Sequence, residues 1–99
     1  MTTNRTQILA VLADCQQEIA TRYGVERLAL FGSAARDELG ASSDVDVLVE
    51  FAGPATFNAY MDLKFYLEDL LGRPVDLVTD KALRQELRPY VEKEMIRVA

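Results

Sequence analysis

The sequence predicts an α/β or α+β domain, in which helices pack on a small mixed sheet of three to four strands. Three short apolar runs, residues 25–31, 44–51 and 74–79, predict buried strands between Gly, Pro and Ser residues. Two longer stretches, residues 6–23 and 56–71, repeat apolar side chains every three or four positions, which is typical of amphipathic helices. Because helices alternate with strands along 99 residues, residues 1–99 are expected to form one domain with one core.

Capping residues set the expected bounds of the helices. Thr6 and Gly24 are expected to begin and end the first helix, and Thr56 and Gly72 the second. A short helix is expected over residues 34–39, directly after the first strand.

The remaining segments predict a turn and a last helix. Residues 41–43 are expected to turn, and Asp80 is expected to cap the last helix. Pro89 lies inside this helix and is expected to kink or split it. The inward side of the helix is expected to carry five apolar residues: Leu83, Leu87, Tyr90, Val91 and Met95.

Composition excludes several classes of function. The chain has no histidine, which excludes Ser-His and Cys-His nucleophile pairs and imidazole zinc sites. The net charge of −5 argues against direct binding to nucleic acid, whose affinity comes largely from Lys and Arg. No apolar run approaches the ~20 residues of a membrane helix. The single cysteine, Cys15, cannot form an internal disulfide, which favours a reducing, cytoplasmic location.

Three aspartates on two strands are the candidate catalytic residues. Asp44 and Asp46 are two positions apart, so that both carboxylates point to one face of their strand. Asp76 lies inside the third apolar run, where an unpaired carboxylate is costly to bury. If the two strands are neighbours, the three anions repel each other unless cations sit among them, and one or two Mg²⁺ ions suit such oxygen ligands.

Gly32 and Ser33 follow the first strand and are candidate phosphate-binding residues. A glycine allows the backbone to approach a phosphate, and the Ser33 hydroxyl and nearby N–H groups can bind its oxygens. Arg36, one turn later, could add a charged contact. Each signal has a structural alternative: a Gly-Ser pair is often only a turn, and Asp76 could be an edge-strand charge that opposes aggregation.

The segment GSAARDELGASSDVD resembles the signature of the DNA polymerase beta-like nucleotidyltransferase superfamily. The short length of the whole chain is similar to that of the minimal nucleotidyltransferase (MNT) antitoxins, which pair with HEPN-domain ribonuclease toxins. LALFGSAAR, SDVDVLVEF, PVDLVT and LRPYVEKEMIRVA stand in the order that the resemblance leads us to expect. Members of the family often have glycine where this chain has Asp37.

The resemblance implies a polymerase beta-like fold and a Mg²⁺-dependent nucleotidyltransferase. It implies that Asp44 and Asp46 bind Mg²⁺, and that Asp76 is a third carboxylate acting as metal ligand or base. It further implies that Gly32 and Ser33 hold the triphosphate of ATP. Such proteins are thought to transfer AMP to a tyrosine of the partner toxin and silence it.

Three functions remain open from the sequence. The first is AMP transfer to a protein partner, and the second is a non-catalytic antitoxin that blocks a basic toxin sterically, which the acidic charge would suit. The third is a small-molecule nucleotidyltransferase, which is the least favoured because no stretch is left for an acceptor domain.

A partner, or a second copy of the chain, is expected to contact a second apolar arc of the 56–71 helix together with the tail. The arc comprises Phe57, Met61, Phe65 and Leu71, and the tail residues are Met95, Ile96 and Val98.

Overall fold

The computed structural model describes residues 4–40 and 43–98. Within these residues the chain forms helices, one 3₁₀ turn and strands in the following order: α1 (Arg5–Asp14), α2 (Gln16–Tyr23), β1 (Val25–Phe31), α3 (Gly32–Ala35), β2 (Val45–Phe51), α4 (Phe57–Leu71), β3 (Val75–Thr79), the 3₁₀ turn (Asp80–Ala82), α5 (Arg88–Glu94) and β4 (Ile96–Arg97). None of the described helices is long and apolar enough to cross a bilayer.

The strands form one mixed sheet in the order β3-β2-β1-β4. β1 runs antiparallel to both β2 and β4, whereas β2 and β3 are parallel neighbours. A right-handed crossover through α4 is the usual way to join parallel strands such as β2 and β3. The predicted class, a small mixed sheet of three to four strands with helices packed on it, is confirmed.

The main core lies between one face of the sheet and the helices α1, α2 and α4. Alternate positions of β2 point into it, and Val45, Val47 and Val49 are completely buried. α4 contributes a buried stripe at four-residue spacing: Leu63, Leu67 and Leu71. A smaller cluster on the opposite face holds α5 against the sheet through Val91, Ala29 and Leu48.

The expected first helix is divided into two. α1 ends at Asp14 and α2 begins at Gln16, with Cys15 between them at φ −102° and ψ 4°. The expected cap at Thr6 is wrong, because the Asn4 side chain accepts the N–H of Gln7 at 2.9 Å. A cap two residues earlier leaves Thr6 inside the first turn.

The expected bounds of α4 and of the α2 terminus are confirmed. Thr56 caps α4 by accepting the N–H of Ala59 at 3.1 Å. Gly24 and Gly72 end α2 and α4 in the left-handed conformation, which glycine adopts without a steric cost. The expected turn at 41–43 includes residues 41 and 42, which lie outside the described part of the chain.

The expected last helix is wrong in its length and at two of its five expected inward residues, whereas Leu83, Val91 and Met95 pack toward the sheet as expected. The segment after β3 opens with a 3₁₀ turn capped by Thr79, and α5 begins only at Arg88. Pro89 stands in the first turn of α5, where its missing N–H costs nothing, so it starts the helix instead of kinking it. Tyr90 is 72% exposed and Leu87 is also exposed.

The second arc expected on the 56–71 helix is only partly an open surface. Phe57 and Phe65 are exposed, at 74% and 55%, whereas Leu71 belongs to the core. Ile96 in β4 and Val98 directly after it both pack against the main core. An outward apolar stripe therefore exists on α4, but it is shorter than expected and does not include these tail residues.

Candidate active site

Asp46 and Asp76 are direct neighbours on the sheet. They are register partners on the parallel strands β2 and β3, and neighbouring strands are about 4.8 Å apart. Their flanking residues point into the main core, so both carboxylates lie on the opposite face. On its other side Asp46 is paired in register with Phe31 of β1. The structure thus brings together two of the three predicted acids on one face.

Asp44 lies just before β2 and is exposed. It is two positions from Asp46, and its charge reaches the Asp46 carboxylate and raises the pKa of that group. Asp44 therefore belongs to the same acidic patch, at its solvent-exposed end.

The pKa of Asp46 is raised from 3.8 to about 6. Partial burial is the largest cause, because it removes water from the carboxylate, and the charges of Asp76 and Asp44 follow. Arg36 opposes the shift, and Glu94 adds to it. The patch thus carries more negative charge than its surroundings compensate, which is the situation that a bound cation relieves.

The acidic patch fits Mg²⁺ as a ligand set that substrate would complete. In the part of the chain that the structure describes, no group of three or more acidic or thiol side chains is arranged to hold a metal ion by itself. Mg²⁺ is commonly held by one or two carboxylates together with waters and substrate phosphates. Asp46 and Asp76 supply such a pair, and Asp44 is the nearest further carboxylate along the strand.

Gly32 packs directly against the Asp46 carboxylate. A Cβ at Gly32 would overlap Oδ2 of Asp46 and lie 3.0 Å from its Cγ. Gly32 also has a φ of +68°, in the left-handed region that favours glycine. Both the space and the backbone conformation therefore favour glycine here, and the contact with Asp46 places the Gly-Ser turn beside the acidic patch.

Ser33 and Arg36 differ in their availability to a ligand. The Ser33 side chain is half-buried, and its hydroxyl bonds to no other described residue. Arg36 is engaged by two carboxylates, with Nε donating to Glu38 at 2.6 Å and Nη1 donating to Glu94 at 2.9 Å. The guanidinium that was expected to contact a phosphate is thus already paired with two carboxylates.

Glu94 also belongs to this site, although no pattern in the sequence indicated it. Its Oε1 accepts the N–H of Gly32 at 3.2 Å, while its Oε2 accepts from Arg36. The two partners lie 62 and 58 positions away, and within its own segment Glu94 is one of several charges on a helix. The packing of α5 across the sheet face, through Val91, is what brings Glu94 here.

The turn after α3 is stabilised by α1. Asp37 has a φ of +60°, and its Oδ1 accepts the N–H of Arg5 at 2.9 Å. The Arg5 guanidinium in turn donates to the carbonyl of Ala35 at 3.0 Å. A left-handed position explains why glycine is common here in the proteins that the chain resembles, and aspartate is among the residues that tolerate it.

Comparison with known proteins points to one family. The model of the nucleotidyltransferase domain family matches residues 12–98. The protein adenylyltransferase MntA of Thermococcus cleftensis is 36% identical over 92 residues, which cover 93% of each chain. A solved structure assigned as a minimal nucleotidyltransferase is 40% identical, with a TM-score of 0.74 over 93% of this chain and 89% of its own.

A more distant neighbour shares the fold. A chain from the Shewanella oneidensis complex of a tri-AMPylated HEPN toxin with an MNT antitoxin has a TM-score of 0.67 at 19% identity. The match covers 92% of this chain and 71% of that one. The family match over most of the sequence, together with the acidic patch beside a Gly-Ser turn, shows that this chain belongs to the nucleotidyltransferase domain family.

Proposed function

We propose that the protein is an antitoxin of the MNT type that transfers AMP from ATP to a tyrosine hydroxyl of a HEPN ribonuclease toxin, and so neutralises it. The observation that carries the proposal is the register pairing of Asp46 with Asp76 directly beside Gly32. Thermococcus cleftensis MntA, a protein adenylyltransferase, supports transfer to a protein. The Shewanella oneidensis complex is the precedent for an AMPylated HEPN toxin with its MNT antitoxin.

The acidic patch would organise the transfer. Asp46 and Asp76, with Asp44 as the nearest further carboxylate, are the residues that would hold Mg²⁺ together with the phosphates, and the ion would supply positive charge to offset that of the phosphates. Asp76, exposed on β3, is our candidate to accept the phenolic proton if it is not occupied as a metal ligand. The tyrosine oxygen forms a bond to the α-phosphorus of ATP, and the bond from that phosphorus to pyrophosphate breaks.

The Gly-Ser turn would position the phosphates. The Gly32 backbone can approach a phosphate closely because it has no side chain, and the Ser33 hydroxyl can donate a hydrogen bond to one of its oxygens. Because Gly32 touches Asp46, phosphates held at this turn would lie within reach of a cation bound to the acidic patch.

Incubation of the protein with labelled ATP, Mg²⁺ and the product of the neighbouring gene, as the candidate HEPN-type partner, tests the proposal. We expect label on a tyrosine of the partner, with a mass increase of one AMP per modified site. Asp46→Asn should abolish labelling. Glu50→Gln is the matched control, since Glu50 lies on the same face of β2 but pairs with Arg27 at 2.5 Å. Equal labelling by both variants would reject the assignment.

A steric antitoxin is the second candidate. The net charge of −5 suits a basic partner, and the exposed Phe57 and Phe65 on α4 offer an apolar contact. Neutralisation of the toxin by an Asp44→Asn/Asp46→Asn variant, without ATP, would favour this function. Loss of neutralisation in that variant while the complex still forms would favour the transferase.

A further inference from the structure

The Glu94 side chain connects the end of α5 to the turn that follows β1. One carboxylate oxygen accepts the Gly32 N–H at 3.2 Å and the other accepts from Arg36 at 2.9 Å. A backbone N–H next to a guanidinium is a typical binding arrangement for a phosphate group. The protein's own carboxylate therefore occupies the donors that a phosphate at this turn would use.

Two of the five N–H donors of Arg36 are already engaged by carboxylates. Its Nε donates to Glu38 and its Nη1 to Glu94, so two edges of the guanidinium face carboxylates. A phosphate oxygen and the Glu94 oxygen cannot both accept the single N–H of Gly32 in good geometry. Binding of a phosphate to this N–H thus requires the Glu94 carboxylate to move.

The contacts of Glu94 are suited to exchange. Arg36 is half-exposed and the Glu94 side chain is 30% exposed, so water can replace each partner at small cost. Val91, one turn earlier, anchors α5 against Ala29 and Leu48 independently of Glu94. The carboxylate can therefore leave the turn while α5 keeps its place on the sheet. Its departure also removes one negative charge that acts on Asp46.

We propose that Glu94 is a positioning residue that closes the turn from Gly32 to Arg36 with an internal carboxylate and is displaced by a phosphate group of the nucleotide. The inference rests on the proposed function, because it takes this turn as the phosphate site. Glu94 then sets nucleotide affinity: the bound phosphate gains the Gly32 N–H and Arg36 only at the expense of the internal contacts.

Calorimetric titration of three variants with ATP and Mg²⁺ tests the inference. Glu94→Gln removes the charged contact, and Glu94→Asp keeps the charge but is one methylene too short to reach both donors. Glu92→Gln is the matched control, since it changes the same charge on α5 but lines a different cavity, with Arg88 and Arg97. We expect both Glu94 variants to bind ATP about three- to fivefold more tightly than wild type, and Glu92→Gln to bind as wild type does.

Titrations with adenosine and with pyrophosphate show which part of ATP the Glu94 side chain competes with. Tighter binding of pyrophosphate with Mg²⁺ by the Glu94 variants, with no change for adenosine, would support displacement by a phosphate. In turnover, the KM for ATP should fall while kcat changes by less than about twofold, because the lost contact competes with ground-state binding.

The opposite results are equally clear. ATP binding by Glu94→Gln that is unchanged or weaker than that of Glu92→Gln would overturn the inference, since the carboxylate would then support the site. If Glu94→Asp behaves as wild type while Glu94→Gln binds more tightly, long-range charge is responsible and displacement is overturned. Absence of ATP binding in wild type and all variants would contradict the proposed function itself, and the inference with it.

Discussion

The two faces of β2 are built on opposite principles, although they alternate along the same seven residues. One face carries Val45, Val47 and Val49, all completely buried against the helices. The other carries Asp46, Leu48 and Glu50. The first face is uniform from end to end, whereas the second changes from a carboxylate to an apolar contact and back to a carboxylate.

The contrast shows where stability and chemistry are placed. Burial of the valines removes apolar area from water and stabilises the fold, at about 0.8 kcal/mol for each methylene. Asp46 opposes folding at neutral pH, because its burial and its acidic neighbours disfavour the charged form. A strand that is stabilised by burial of one face can thus carry an electrostatically unfavourable carboxylate on the other face. Substitutions on the two faces should therefore separate activity from stability.

The largest expected effect is the loss of activity on the acidic face. On the proposed role of Asp76 as a metal ligand, Asp76→Asn should lower AMP transfer by about a thousandfold or more, because the ligands of a catalytic metal support several kcal/mol of transition-state stabilisation. Asp80→Asn is the control. It removes the same charge just after β3, but from a carboxylate that pairs with Arg88 at 3.0 Å instead of facing Asp46. Transfer rates of the two variants measured with equal amounts of folded protein check this. Comparable rates would remove Asp76 from the site.

The next largest effect is on stability from the buried face. Val47→Ala should lower the free energy of unfolding by about 2–3 kcal/mol, from lost burial and the cavity that remains. For a domain of this size the melting temperature should fall by about 10–15 °C. Transfer by the remaining folded protein should stay close to wild type. Calorimetry with a transfer assay below the transition measures both, and a large loss of activity per folded molecule would contradict the separation of the two faces.

The periodicity of apolar residues was sufficient to predict the buried side of the molecule. The strands β1, β2 and β3 and the helix α4 lie within one residue of their expected bounds, because alternation and four-residue spacing are local signals. Asp76 could be placed beside Asp46 only on the condition that their strands were neighbours, which the sequence alone did not establish.

The errors lie where tertiary contacts override local patterns. Tyr90 and Leu87 fit an apolar helix face, yet α5 starts late and both side chains are exposed, while Val91 is buried against the sheet. Glu94 approaches Gly32 through packing across 62 residues, for which no local pattern exists. At Asp37 the sequence shows only that the chain has aspartate where similar proteins often have glycine. The structure supplies the physical reason, because this position has a left-handed φ.

Two glycines with the same backbone conformation can refine the comparison. Gly24 and Gly32 both have a φ of +68°, but a Cβ at Gly24 meets no atom within 4 Å, whereas one at Gly32 overlaps Asp46. Both alanine variants should lose about 1 kcal/mol from the positive φ. Gly32→Ala should lose about 1–2 kcal/mol more, because the acidic carboxylate has to move. Urea unfolding gives the difference.

The Gly32→Ala substitution in an Asp46→Ala background tests whether the additional cost comes from the contact with Asp46. In Asp46→Ala protein most of the additional cost at Gly32 should disappear, since the two atoms nearest to the new methyl, Cγ and Oδ2, are absent. An undiminished cost in that background would show that the strain arises elsewhere in the turn.

The smallest expected effect is the pH dependence that Asp46 gives to stability. Its pKa is about 6 in the folded protein against 3.8 for the ordinary group, so between these values the folded state binds more protons than the unfolded state. The contribution of this group to the free energy of unfolding should therefore be highest below about pH 4 and decrease as pH rises through 6. The decrease should be about 1–2 kcal/mol once solvent screening of a partly buried group is allowed for.

Asp46→Asn isolates this contribution. Urea unfolding of wild type and variant from pH 4.5 to 7.5 should give a stability difference that favours the variant above pH 6 and shrinks toward pH 4.5. Saturating Mg²⁺ should restore part of the wild-type stability at pH 7.5 and have less effect on the variant, because a cation compensates the same repulsion. A pH-independent difference would mean that the Asp46 carboxylate is well solvated. The two faces of β2 would then differ only in polarity, and the charge of Asp46 would not oppose folding.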